Sequence, residues 1–98
     1  TAKMYLFAEV IFYAGQRKTL PKTGYRPDAV FDESGDYWGI TFMELQADKF
    51  DVSTPTIIKF TFQNQHYKEI RIWQQFSIME GGRKIGEGKI ISIDMQHE

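Results

Sequence analysis

The sequence predicts an all-β protein, a small closed antiparallel barrel of six strands. Three observations predict it. Apolar residues recur with period two in runs separated by turn formers, β-branched and aromatic residues fill those runs, and no segment carries a dominant helical period. Short strands in such number close most readily on themselves, which leaves no sheet edge exposed.

The first strand is Lys3 to Tyr13. Leu6, Ala8, Val10 and Phe12 form one wholly apolar register, while Phe7, Glu9, Ile11 and Tyr13 form a mixed one. Gly15 to Gly24 has no periodicity, contains Pro21 and carries Arg17, Lys18 and Lys22, so it is a basic loop. Pro27 biases Arg26 away from helical angles, and Ala29 to Phe31 follows as a short extended piece. Asp32-Glu33-Ser34-Gly35-Asp36 is a polar turn into Tyr37 to Leu45, where Trp38, Ile40 and Phe42 alternate with Gly39 and Thr41. Gln46 to Asp51 is a charged link, and Ser53-Thr54-Pro55 turns into a strand over Thr56 to Phe62, with Ile58, Phe60 and Phe62 on one face.

Ile70 to Met79 fits two periods. Ile70, Ile72, Phe76 and Ile78 alternate as in a strand, whereas Ile70, Trp73 and Ser77 share a helix face; the β-branched content and the two glycines that follow favour the strand. Gly81-Gly82 is the hairpin turn into a last strand over Ile85 to Met95. Gly82 is the turn residue for which a positive φ is expected. Gly86 and Gly88 share one face of the last strand and permit a close approach or a bend.

The chain's 98 residues suit one module with one core, residues 1–98, and its 42% hydrophobic and 15% aromatic content supplies the apolar area to fold it. A net charge of −1 gives no general attraction to nucleic acid or membrane, so any RNA contact must be a local patch. The sequence has no cysteine, hence no disulfide framework or thiolate zinc site, and no apolar run of membrane-spanning length. No membrane role and a cytoplasmic setting are expected.

The chemistry of common enzymes is missing from the motifs. A phosphate cradle needs G-x-x-x-x-G-K-[ST]. Counting from Gly81 reaches Gly86, but Glu87 stands where the lysine must be, and the Gly88-Lys89 pair has Arg83 at the first glycine position. His66 and His97 stand alone, without a second imidazole or a thiolate to build a metal site or a triad. Asp28, Asp32, Glu33 and Asp36 lack the alternating spacing and closing glutamate of a calcium loop and read as a solvated turn. Neither a catalytic residue, a cofactor, a metal nor a nucleotide is expected. Trp38 and Trp73 fit core or rim packing, or an aromatic anchor at an interface.

Two segments carry a resemblance that spans about Lys3 to Ile93. Gly24-Tyr25-Arg26-Pro27 followed by an apolar strand, and Phe76-Ser77-Ile78-Met79-Glu80-Gly81-Gly82-Arg83-Lys84-Ile85-Gly86-Glu87-Gly88-Lys89-Ile90, resemble the G-Y-R-P segment and the F-x-I-R-E-G-G-R-T-V-G-x-G-x-V ending of the C-terminal (third) barrel domain of elongation factor Tu and related translational GTPases. Met79 replaces the family's arginine and Lys84-Ile85 its threonine-valine. In the full-length factor that barrel packs on the GTPase domain and helps to hold the T-stem backbone of aminoacyl-tRNA. The resemblance therefore implies a stand-alone binding domain linked to translation.

It also implies where partners bind. Arg17 and Lys18 match the family's basic pair, and Gly81 and Gly82 its turn near the RNA surface. RNA binding would need Arg17, Lys18, Arg26, Arg83 and Lys84 on one face. Against a strong RNA contact, Asp28 replaces the family's glutamine, Glu33 and Ser34 replace its arginine-threonine step, and Trp38 replaces a T-stem-facing threonine. Acidic substitutions repel phosphate, so a protein partner is expected ahead of tRNA, through Tyr37 and Trp38 as an aromatic interface.

Overall fold

The computed structural model describes residues 2–62 and 69–97. Its strands are β1 (Ala2–Phe12), β2 (Asp28–Val30), β3 (Trp38–Leu45), β4 (Thr54–Phe60), β5 (Gln75–Glu80) and β6 (Arg83–His97). They close in the order β1-β4-β3-β2-β5-β6, every neighbouring pair antiparallel. This is the predicted barrel. Among the described residues there is no helix.

Three extra residues bend the strands enough to close them. Phe42 pairs with Ile58 but Glu44 with Ile57, so Met43 is unpaired in β3. Ile85 is the extra residue in β6 against β5, and Ile91 the extra residue against β1. Such bulges sharpen local twist and curvature, which a six-stranded barrel needs.

The apolar register of β1 points inward as its alternation requires: Leu6, Ala8, Val10 and Phe12 are buried, and Phe7 and Glu9 face out. The middle of the core is aliphatic, with Ile40, Ile58, Ile78 and Ile90 wholly buried. Aromatic clusters fill both ends. Phe12, Tyr25 and Phe42 meet at one end, with Tyr25 and Phe42 stacked at 5.6 Å between ring centroids. Phe31, Phe60, Phe76 and Trp38 meet at the other.

The two segments behind the resemblance have defined structural jobs. Gly24 to Pro27 prolongs the short β2 along β3: the Gly24 amide donates to the Phe42 carbonyl at 2.8 Å, the Phe42 amide to Tyr25 at 2.9 Å and the Ile40 amide to Pro27 at 3.0 Å. Pro27 lacks an amide hydrogen but supplies an acceptor. Gly86 and Gly88 are sites of close approach. A Cβ at Gly86 would stand 2.5 Å from the Ile11 carbonyl oxygen, and one at Gly88 would stand 2.3 Å from the Phe76 ring. Phe76 thus fills the space that Gly88 leaves.

Three expectations need correction. The strand expected from Ile70 begins only at Gln75, because Trp73 adopts a φ of 72° that breaks the extended path. The strand expected to Phe62 ends at Phe60, and Phe62, expected on the inner face, is 63% exposed. In the hairpin turn the positive φ belongs to Gly81, at 60°, and not to Gly82.

Candidate functional site

Because neighbouring strands alternate in direction, one end of the barrel gathers the ends of β1, β3 and β5 with the starts of β4 and β6, and the segment leading into β2. The opposite end gathers the start of β3 and the ends of β2 and β4. The candidate residues divide between these two ends.

The first end carries the arginines. Glu80, the last residue of β5, is their hub: Arg17 Nε lies 2.9 Å from Oε2, Arg83 Nη2 lies 3.6 Å from Oε1, and the Tyr25 hydroxyl donates to Oε2. The Arg17 guanidinium also covers the Tyr25 ring at 4.9 Å and donates through Nη1 to the Thr19 carbonyl at 3.0 Å. Burial, then the hydrogen bond to Glu80, pushes the Tyr25 phenol well above its ordinary range, and the nearby arginines offset part of the rise. Tyr25 therefore stays protonated and donates to the carboxylate.

Beside this hub the Lys84 Nζ lies 6.0 Å from the Tyr13 ring, and the Tyr13 hydroxyl donates to Glu87 Oε1 at 2.6 Å. Burial, followed by the bond to Glu87 and its charge, pushes the Tyr13 phenol up to about 12. Lys18 and Arg26 are exposed, and the β2–β5 register continued back from Asp28 and Met79 sets Arg26 level with Gly81. Arg17, Arg83 and the Gly81-Gly82 turn thus come together, but two of the basic groups are already committed to Glu80.

The opposite end carries Tyr37 and Trp38. Tyr37 is 47% exposed, whereas Trp38 is half-buried and meets Phe60 edge-on at 6.3 Å between centroids. With Asp28, Gly39, Phe60 and Phe62 they line a groove of about 320 Å³. Asp28 lines this groove, across from Gly39 in the β2–β3 pairing, and on its other side pairs with Met79, next to Glu80. Glu33 shares a separate hollow with Lys84 and Glu87, of about 250 Å³, on the face of β5 and β6.

The acidic turn is held by its own bonds. Asp32 Oδ1 accepts the Ser34 amide at 3.0 Å and the Ser34 hydroxyl, and the Ser34 oxygen accepts the Asp36 amide at 3.3 Å. Gly35 supplies the left-handed residue at φ 76°. Among the described residues no three acidic or imidazole groups gather to hold a metal ion. His66 and the side chain of His97 lie outside the described residues. No described helix is long and apolar enough to cross a membrane.

Comparison of the sequence with protein-family models and with curated proteins finds no match. The surfaces themselves carry the functional argument. Sequence reasoning missed Glu80 as the hub and Phe62 as a groove wall. It also missed a signal that was present: residues 13–27 hold Arg17, Lys18, Lys22 and Arg26 with no acid, whereas residues 27–48 hold Asp28, Asp32, Glu33, Asp36, Glu44 and Asp48 with no lysine or arginine. The fold does not keep that segregation as two ends, since Glu44 and Asp48, at and just past the end of β3, lie at the same end as Arg17 and Arg83.

Proposed function

We propose that the chain is a stand-alone, non-catalytic binding module of the elongation factor Tu C-terminal kind, working in the cytoplasm through a protein contact at its aromatic end. The carrying observation is the groove of Tyr37, Trp38, Phe60 and Phe62, with Asp28 in its lining and open on Tyr37 and Phe62. Rigid aromatic surface is what protein interfaces draw on for affinity, and the Asp28 carboxylate repels a phosphate backbone. The barrel topology, the pairing of Gly24 to Pro27 along β3 and the glycine turn before the last strand support the resemblance.

A second reading is weak RNA-backbone binding at the other end, favoured by the convergence of Arg17 and Arg83 beside Lys18 and the Gly81-Gly82 turn. Glu80 works against it, since a phosphate must compete with a carboxylate bonded to Arg17 and lying 3.6 Å from Arg83. Arg17, Lys18 and Arg83 would neutralise about three phosphates, a salt-sensitive contact with decades less affinity than a footprint of six to ten.

The test has two arms. A partner recovered from the source cell and purified should bind wild type and Arg17→Glu alike, and Tyr37→Ala about tenfold or more weakly. Tyr37 is the better probe than Trp38, whose removal would also unpack Phe60. Titration with bare and aminoacylated tRNA at about 0.15 M salt should show no submicromolar binding. Submicromolar tRNA binding that Arg17→Glu abolishes would replace the protein-contact reading with the RNA one.

A further inference from the structure

The aromatic groove has a floor and a charge as well as walls. Gly39 leaves bare backbone between β2 and β4: a Cβ placed there would stand 3.6 Å from Thr61 Cβ and Oγ1 and 4.0 Å from Asp28 Oδ1. The Asp28 carboxylate therefore lies alongside the floor. Thr61 Oγ1 is already engaged with Thr41 Oγ1 at 2.8 Å. Among the described residues Asp28 has no ion-pair partner. Residues 27 to 48 hold no lysine or arginine, and neither Arg26 nor the β4 Lys59 pairs with Asp28.

We infer that this groove takes an arginine side chain of the partner protein, its guanidinium set against the aromatic walls and its N–H fork on Asp28. The inference rests on the protein-contact reading above and names the group that reading leaves open. Charge complementarity selects it. A purely apolar anchor would cover Asp28 without pairing it, and a buried carboxylate left without a donor costs affinity. A phosphate-bearing ligand is repelled by Asp28.

Arginine fits better than lysine for two reasons. Its planar cation stacks on aromatic faces while donating in the plane to a carboxylate, so Tyr37 or Phe62 and Asp28 are satisfied together. It is also more weakly hydrated than an ammonium, so entering a groove walled by Tyr37, Trp38 and Phe62 removes less hydration. The 320 Å³ of the groove accommodates one such side chain.

The experiment follows the Trp38 indole and Gly39 amide by two-dimensional ¹H–¹⁵N spectra during titration with N-acetyl-arginine amide, and separately with the neutral N-acetyl-norleucine amide. Trp73→Phe distinguishes the two indole signals. The expected result is saturable shifts at both positions with arginine, with a Kd of about 1–10 mM, and none with norleucine. Asp28→Asn, its fold checked by the same spectrum, should weaken binding about tenfold or more. Equal shifts from norleucine, no shifts from arginine up to about ten times that Kd, or an unchanged Kd in Asp28→Asn would each overturn the inference.

The purified partner separates this inference from the reading beneath it. Binding weakened by Tyr37→Ala but indifferent to Asp28→Asn removes the arginine and leaves the protein contact. Binding indifferent to both removes both.

Discussion

Gly81 and Gly82 look equivalent in sequence, yet only Gly81 sits at a left-handed φ, 60°. Open space surrounds both, with nothing within 4 Å of a Cβ added at either. Any cost of substitution is therefore a backbone cost, and it falls on Gly81. Gly81→Val should destabilise by about 1 kcal/mol or more, because a β-branched residue resists positive φ, while Gly82→Val should cost clearly less. Urea unfolding of the two variants checks the order, and equal losses would mean that the turn relaxes to share the strain. Glu80, next to this turn, shows a different residue-scale lesson. A lone glutamate before two glycines carries no motif, but it collects Arg17, Arg83 and Tyr25 once β5, β6 and the basic loop meet.

At the scale of elements, the connection into β5 is where local pattern and fold part company. Ile70, Ile72, Phe76 and Ile78 alternate as a strand should, but the chain turns at Trp73 and pairs regularly only from Gln75. Gln74 holds that turn. Its Oε1 accepts the Arg71 amide at 2.9 Å, its Nε2 donates to the Phe31 carbonyl at 3.2 Å, and the side chain is buried. The Trp73 amide donates to Ile90 at 2.7 Å, which ties the turn to β6. Ile72 and Trp73 are left at the surface, 51% and 64% exposed, with Lys89 Nζ 5.4 Å from the Trp73 ring. Gln74→Ala removes the bonds that its side chain makes to the Phe31 carbonyl and the Arg71 amide and should cost about 1–3 kcal/mol. Hydrogen exchange should quicken first at the Arg71 and Trp73 amides; unchanged protection there would show that the turn does not depend on Gln74.

At the scale of the whole molecule, alkaline stability follows from two tyrosines at the end that holds Glu80 and Glu87. Tyr13 and Tyr25 both have phenols raised above the ordinary value of 10, Tyr13 to about 12, by burial and by bonds to Glu87 and Glu80. The folded state binds their protons more tightly than the unfolded chain. The stability this supplies is fully present below pH 10 and is lost as pH rises through the folded values, from 10 to 12 and beyond. Wild type should therefore lose stability over that window faster than Tyr25→Phe, although the variant starts lower at neutral pH through loss of the bond to Glu80. Parallel curves for the two proteins would show that Tyr25 contributes nothing to the alkaline transition.

The sequence by itself determined the all-β class, the register of β1, that of β3 as far as Phe42, the inner face of β4 as far as Phe60, and the place of the last hairpin. Those follow from period-two burial and turn chemistry, which act within a few residues of one another. It also held the charge segregation between residues 13–27 and 27–48. Only the tertiary structure decided that Glu80 would draw in Arg17 and Arg83, that Asp28 would stand with Tyr37 and Trp38, and that Phe62 would face solvent. Each depends on which strands become neighbours when the barrel closes, and on the three bulges that set their curvature. Closure is a property of all six strands together, so no local pattern announces which side chains it brings face to face.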